Sequence, residues 1–124
     1  MSQNDVVELE LNIKEAEDLV SLGKSLERLE KNKDFKKVIQ EQYLHNEAVR
    51  LVHLKSDGNM QDPRVQERLV RDIDAIGSFT QFLSKVFREA DSAREAISIC
   101  NEELDHINNE GEDAWVYPPR PMTK

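Results

Sequence analysis

Residues 76–107 read IGSFTQFLSKVFREADSAREAISICNEELDHI, and apolar side chains recur through this stretch at alternating intervals of three and four positions. A helix places residues three and four apart on the same face, so the pattern predicts one helix with a continuous apolar seam. An average spacing of about 3.5 residues is typical of helices that wrap around another helix. The ten seam residues are Ile76, Phe79, Leu83, Val86, Ala90, Ala93, Ile97, Cys100, Leu104 and Ile107.

The helix that carries the seam is predicted to begin at Asp62-Pro63. Aspartate can cap the free amide groups of a first turn, and proline at the first helical position lacks an N–H that would have no partner. Gly77 is the only weak point before about Asn109, and Gly111 is expected to stop the helix. The predicted helix therefore has roughly 47 residues and a length of about 70 Å.

A helical hairpin is predicted ahead of this long helix. Its first helix is expected to begin at Asn12, with Glu15 three residues later as in a capping box, and to end near Lys31. Its second helix is expected to begin at Asp34, another capping residue, and to end at the turn 57–59. The buried face of the first helix is predicted to contain Ala16, Leu19, Leu22, Leu26 and Leu29, with Val20 and Gly23 beside it.

Both ends of the chain are predicted to be extended. Residues 5–11 alternate apolar and acidic side chains, which is the pattern of a strand or an extended arm. Residues 115–121 place Trp115 and Tyr117 beside three prolines, and such a segment favours polyproline II. The predicted fold is all-α, with an N-terminal arm at 1–11, a single helical domain at 12–109 and an extended tail at 110–124.

The long helix is expected to need a partner. Two helices of about 20 residues reach roughly 30 Å each and cover it only to about Phe87. The rest of the seam is a narrow stripe that admits one closely approaching helix, which we expect from a second copy or a different protein. The alternatives are an exposed distal helix and a break near Asp91. The predicted partner-binding residues are Ala90, Ala93, Ile97, Cys100, Leu104 and Ile107.

The tail adds three predicted partner-binding residues. Trp115 and Tyr117 bury a large apolar area at low entropic cost, and Arg120 adds a planar donor. We expect these side chains to dock on another subunit. The alternative is that Trp115 packs on the helices of its own chain.

Composition excludes several classes of function. The 124 residues carry a net charge of −8, which argues against general nucleic-acid binding because phosphate contacts need a basic surface. A single cysteine cannot form an internal disulfide and fits a reducing compartment. Neither a membrane-spanning run of 18 apolar residues nor a secretory signal is predicted, so the expected location is cytoplasmic.

No catalytic motif is predicted. Glu103 and His106 have the Glu-x-x-His spacing of di-iron bundles, but the sequence lacks the second such pair. Cys100 lies in the seam, nearly two turns from His106, so an activated thiol is not expected. We therefore predict a protein that is not an enzyme and uses no metal, cofactor or small-molecule substrate.

Three stretches carry a resemblance: LERLEKNKDFKKVI at 26–39, EAVRLVHL at 47–54 and RDIDAIG at 71–77. They resemble small acidic helical proteins encoded in tailed-bacteriophage genomes, often near head and packaging genes. The likeness covers roughly residues 12–107 and transfers no functional residues. It implies a head-associated virion component or assembly factor that binds other virion proteins or copies of itself, in the host cytoplasm during assembly and then in the virion.

Two other functions stay open at this point. One is an inhibitor that takes over the host by binding a bacterial protein through the acidic surface. The other is a small terminase-like packaging subunit, which would need a basic DNA-facing surface that the sequence does not show.

Overall fold

A computed structural model describes the backbone of residues 3–115 and the side chains of residues 3–109. All elements within this part of the chain are helical, which confirms the all-α fold class and the long C-terminal helix. The elements are α1 (Gln3–Lys31), α2 (Lys33–Phe35), a π-helix (Lys36–Glu47), α3 (Ala48–Ser56), a 3₁₀ turn (Gly58–Met60) and α4 (Pro63–Trp115). Within the described residues, no helix is long and apolar enough to cross a bilayer.

The chain divides into two compact units. Unit 1 combines Met1–Ser21 with Glu89–Lys124, and unit 2 is the continuous segment Leu22–Arg88. Helices α1 and α4 each contribute residues to both units.

Unit 2 contains the tight connection between α1 and α2. The prediction that the first helix ends near Lys31 is confirmed, but the residue that caps the next helix is Asn32 and not Asp34. The side-chain oxygen of Asn32 accepts hydrogen bonds from the backbone amides of Asp34 at 2.9 Å and Phe35 at 3.0 Å. Asn32 can do this because its backbone is extended, with ψ of 129°, whereas Asp34 is already helical.

The second connection in unit 2 forms as the sequence predicts. The carboxylate of Asp57 accepts a hydrogen bond from the amide of Asn59 at 2.8 Å, and that of Asp62 accepts one from Arg64 at 2.8 Å. Pro63 is the first residue of α4. The Gln66 side chain then donates to the carbonyl of Met60 at 2.7 Å, which ties the turn to the first helical turns of α4.

The core of unit 2 lies between residues 33–56 and the first part of α4. Its buried residues are Leu51, Leu69 and Ile76. The Tyr43 and Phe79 rings extend this contact, edge to face, with centroids 6.1 Å apart. Partly buried neighbours complete the cluster: Tyr43, Leu44, Ala48, Leu54, Val65 and Ile73.

The π-helix accounts for how the middle segment keeps one face on α4. Partly buried apolar side chains in and beside this helix recur at steps of four, as Phe35, Ile39 and Tyr43 and again as Leu44 and Ala48. In an α-helix of 3.6 residues per turn, repeated steps of four drift steadily around the axis. The wider π turn rotates less per residue, so these side chains stay on one face. The sequence predicted an ordinary α-helix here.

Unit 1 corrects the prediction of an extended N-terminal arm. Residues 3–11 belong to α1, and Asn12 lies inside the helix instead of capping it. Val6, Leu9 and Ile13 face inward at steps of three and four, which only a helix can bring onto one side. A helix also satisfies its own backbone hydrogen bonds, whereas a lone strand has no partner for them.

The prediction of an extended tail from residue 110 is also corrected. The backbone of α4 continues through Gly111 to Trp115, so residues 110–115 are helical and not extended. One glycine inside a helix costs about 1 kcal/mol relative to alanine, which is too little to end a helix of this length. The remainder of the predicted tail, including Tyr117 and Arg120, lies outside the described residues.

Candidate interaction surface

The distal seam of α4 lies inside unit 1. Ala90 and Ala93 are buried, and the other four predicted partner-binding positions are half-buried, namely Ile97, Cys100, Leu104 and Ile107. The described part of unit 1 consists of two helical stretches, so each covers the other. A shallow pocket lined by Asp5, Glu8, Leu9, Asn12 and Glu103 shows the two stretches side by side.

This arrangement removes the physical reason for expecting a foreign helix over the distal seam. Residues 3–21 and residues 89–107 are both 19 residues long, or about 28 Å as helices, so their lengths match. If residues 1–11 formed an extended arm, as the sequence pattern predicts, this stretch of α4 would have no helix over it. Trp115 is the last residue of α4, and its side chain lies beyond the described side chains.

The face that α1 turns toward α4 also differs from the prediction. Val20, Gly23 and Leu26 are the inward residues, and they continue the series Val6, Leu9, Ile13 and Ala16 at steps of three and four. Leu22 and Leu29, which the sequence placed inside, are 50% and 46% exposed. The longer series from Val6 was the signal for the true face, and it becomes visible only when residues 5–11 are read as helical.

Unit 2 contains an apolar groove beside the exposed leucines of α1. It has a volume of about 300 Å³, and its lining residues are Leu22, Ser25, Leu26, Leu29, Phe35, Phe79, Phe82, Leu83 and Val86. Phe82 is 57% exposed, although it is one of the largest apolar side chains in the chain. Ser25 is the only polar residue in the lining, and none of the nine is ionisable. The groove can therefore hold apolar side chains, but its lining offers no acid, base or metal ligand.

The two units carry opposite charge. Unit 2 contains thirteen Lys and Arg residues and ten Asp and Glu residues. The described residues of unit 1 contain two basic residues, Lys14 and Arg94, and twelve acidic ones. Charged residues of both signs stand next to the groove in sequence: Arg28 precedes Leu29 and Glu30 follows it, and Lys85 precedes Val86. The apolar groove thus belongs to the basic unit of an acidic protein.

One ion pair on the surface of unit 2 shifts the pKa of both its members. Arg50 donates two hydrogen bonds of 2.7 Å to the carboxylate of Glu47. Glu47 is the residue immediately before α3, and Arg50 lies in the first turn of α3. These bonds hold the pKa of Glu47 below its usual value and raise the pKa of Arg50. Both side chains are solvent-accessible, so the pair is a helix-surface contact of modest strength.

The candidate metal ligand Glu103 and the candidate thiol Cys100 both lie in unit 1. Among residues 3–109, no group of three or more His, Cys, Asp or Glu side chains is placed to hold a metal ion. Glu103 lines the shallow pocket of unit 1, and Cys100 is a half-buried free thiol.

Comparison of the chain with protein-family models, with curated proteins and with solved structures finds no match.

Proposed function

We propose that this chain is a non-enzymatic structural or assembly protein that binds other protein subunits through the apolar groove of unit 2. The groove itself is the observation that carries this proposal, because eight of its nine lining residues are apolar. Exposed apolar patches of this kind mark interaction sites in soluble proteins. Burying the half-exposed Leu22, Leu29 and Phe82 would contribute about 1 kcal/mol each.

We place these contacts in the head of a tailed-bacteriophage particle, assembled in the host cytoplasm. This part of the proposal rests on the resemblance of residues 26–39, 47–54 and 71–77 to phage-encoded helical proteins. The first of these stretches supplies Leu26, Leu29 and Phe35 to the groove. The proposed partners are other virion proteins or copies of the chain itself.

The experiment is quantitative mass spectrometry of purified particles from cells infected with a phage that encodes the chain. Stoichiometric presence in the particles supports the structural role. Complete absence from them rules it out, and recovery of the chain on a bacterial protein instead would indicate a host-directed inhibitor.

A pair of variants tests the groove within the same experiment. Phe82→Asp places a charge in the groove, whereas Gln81→Asp places the same charge on the adjacent exposed residue. We expect Gln81→Asp to enter particles as the wild type does and Phe82→Asp to be lost from them, with both variants equally helical by circular dichroism. Equal incorporation of both variants would contradict binding through the groove.

A further inference from the structure

We infer that the groove of unit 2 binds the amino-terminal part of α1, residues 3–21, from a second copy of the chain. This inference rests on the proposed function because it uses the same groove, and it names the occupant. The contact joins unit 2 of one copy to unit 1 of the next. It is therefore a head-to-tail contact, which can repeat through many copies or close into a ring.

Charge complementarity is the first argument for this occupant. Residues 3–21 contain six acidic residues and one lysine, while unit 2 has an excess of basic residues. The immediate sequence neighbours of the groove residues include four basic residues and three acidic ones, namely Lys24, Arg28, Lys36 and Lys85 against Glu27, Glu30 and Asp34. Opposite charges across an interface steer association and fix which surfaces meet. Two unit 2 surfaces, both with a basic excess, would repel each other.

The second argument is the outer face of the same helical stretch. Val7 and Leu11 are one helical turn apart, and both are exposed in unit 1. Glu8 follows Val7 and Glu10 precedes Leu11, so the stretch is an acidic helix with two aliphatic anchors. An amphipathic helix that inserts residues four apart into an apolar groove is a common mode of recognition. The groove of about 300 Å³ has room for such side chains.

Residues 116–124 are a poorer occupant of the groove when judged by charge. Residues 116–124 contain two basic residues, Arg120 and Lys124, and no acidic one. Their charge has the same sign as the excess in unit 2. The apolar character of Val116 and Tyr117 alone does not offset this mismatch.

Analytical ultracentrifugation of the full chain tests the inference. At about 100 µM, we expect the wild type to associate in about 0.05 M salt, and we expect the association to weaken at least tenfold in about 0.5 M salt. Leu11→Asp should abolish association because it places a charge on the inserting face. The matched control is Ile99→Asp, since Leu11 and Ile99 are 54% and 56% exposed and only Leu11 belongs to the proposed contact.

A complementation experiment separates this contact from the other ways of filling the groove. Phe82→Asp disrupts the groove but keeps the acidic helix intact. Leu11→Asp disrupts the acidic helix but keeps the groove intact. Each variant should be monomeric and folded by circular dichroism, while a mixture of the two should form a complex that stops at one copy of each. Removal of residues 116–124 should leave the association of the wild type intact.

Four results would overturn the inference. They are a monomeric wild type at this concentration, normal self-association of Leu11→Asp, a mixture that stays monomeric, and loss of association when residues 116–124 are removed. The last result would assign the groove to the tail. A monomeric chain that is nevertheless abundant in particles would refute this inference and leave the proposed function standing.

Discussion

Replacement of Leu51 by alanine tests whether the packing between α3 and α4 holds unit 2 together. Leu51 is 2% exposed and is the largest fully buried side chain among the described residues. It packs with Leu69 and Ile76, and partly buried side chains surround the three. The substitution removes three carbon atoms from the centre of this cluster.

The expected cost follows from burial. Three buried carbon groups at about 0.8 kcal/mol each correspond to about 2.4 kcal/mol, and a residual cavity adds to this. The half-buried side chains of Tyr43, Leu44 and Leu54 can move inward, so the cavity should collapse in part. We therefore expect a loss of about 3 kcal/mol in the free energy of unfolding, near the low end for buried leucine. A chain of 124 residues has about 6–19 kcal/mol in total.

Urea unfolding followed by circular dichroism measures this loss. With a slope of about 2 kcal/mol per molar urea, the midpoint should fall by about 1.5 M while the slope stays constant. The control is Val52→Ala, because Val52 is the next residue of α3 and is 54% exposed. Its effect should be under about 0.5 kcal/mol. A loss below about 1 kcal/mol for Leu51→Ala, or equal losses for both variants, would refute the assignment of Leu51 to the centre of the core.

Two further predictions concern α1. Asn32→Ala should lower the free energy of unfolding in urea by about 1 kcal/mol, because two backbone amides lose their hydrogen-bond acceptor. Asn32→Asp should keep the wild-type stability, since a carboxylate can accept the same bonds. Equal stability of the two variants would show that the cap is not needed. Deletion of residues 1–11 should uncover Leu104 and Ile107 and accelerate amide hydrogen exchange over residues 97–109 by at least tenfold, while residues 63–76 stay protected. Unchanged exchange in both regions would contradict the cover that α1 provides in unit 1.

Features with local causes were predictable from sequence. The end of α1 near Lys31, the turn at Asp57 and the start of α4 at Pro63 each depend on a few neighbouring residues with marked backbone preferences. The long seam of α4 was predicted in full, and all ten of its residues are buried or half-buried. The periodicity of a helix is written into the chain itself, so these features need no tertiary information.

Features that depend on a neighbouring element were not predictable in this way. Residues 5–11 alternate apolar and acidic side chains, and this pattern is compatible with a strand and with a helix that has one apolar side. Packing of this segment against α4 favours the helix. The π-helix at residues 36–47 likewise depends on keeping side chains four apart against α4. Partner binding by the distal seam stays a prediction, although residues 3–11 give that seam cover that the sequence pattern did not reveal.

The amino-acid sequence by itself determined that this protein is helical, where its turns lie and which side of α4 is apolar, because those properties follow from local backbone preferences and from residue spacing. Only the tertiary structure decided which leucines of α1 stay outside. Two apolar series share that helix, and Gly23, buried in unit 2, lies in the series that faces inward. A residue without a side chain allows two helices to approach closely, so the choice depends on the helix that packs against it.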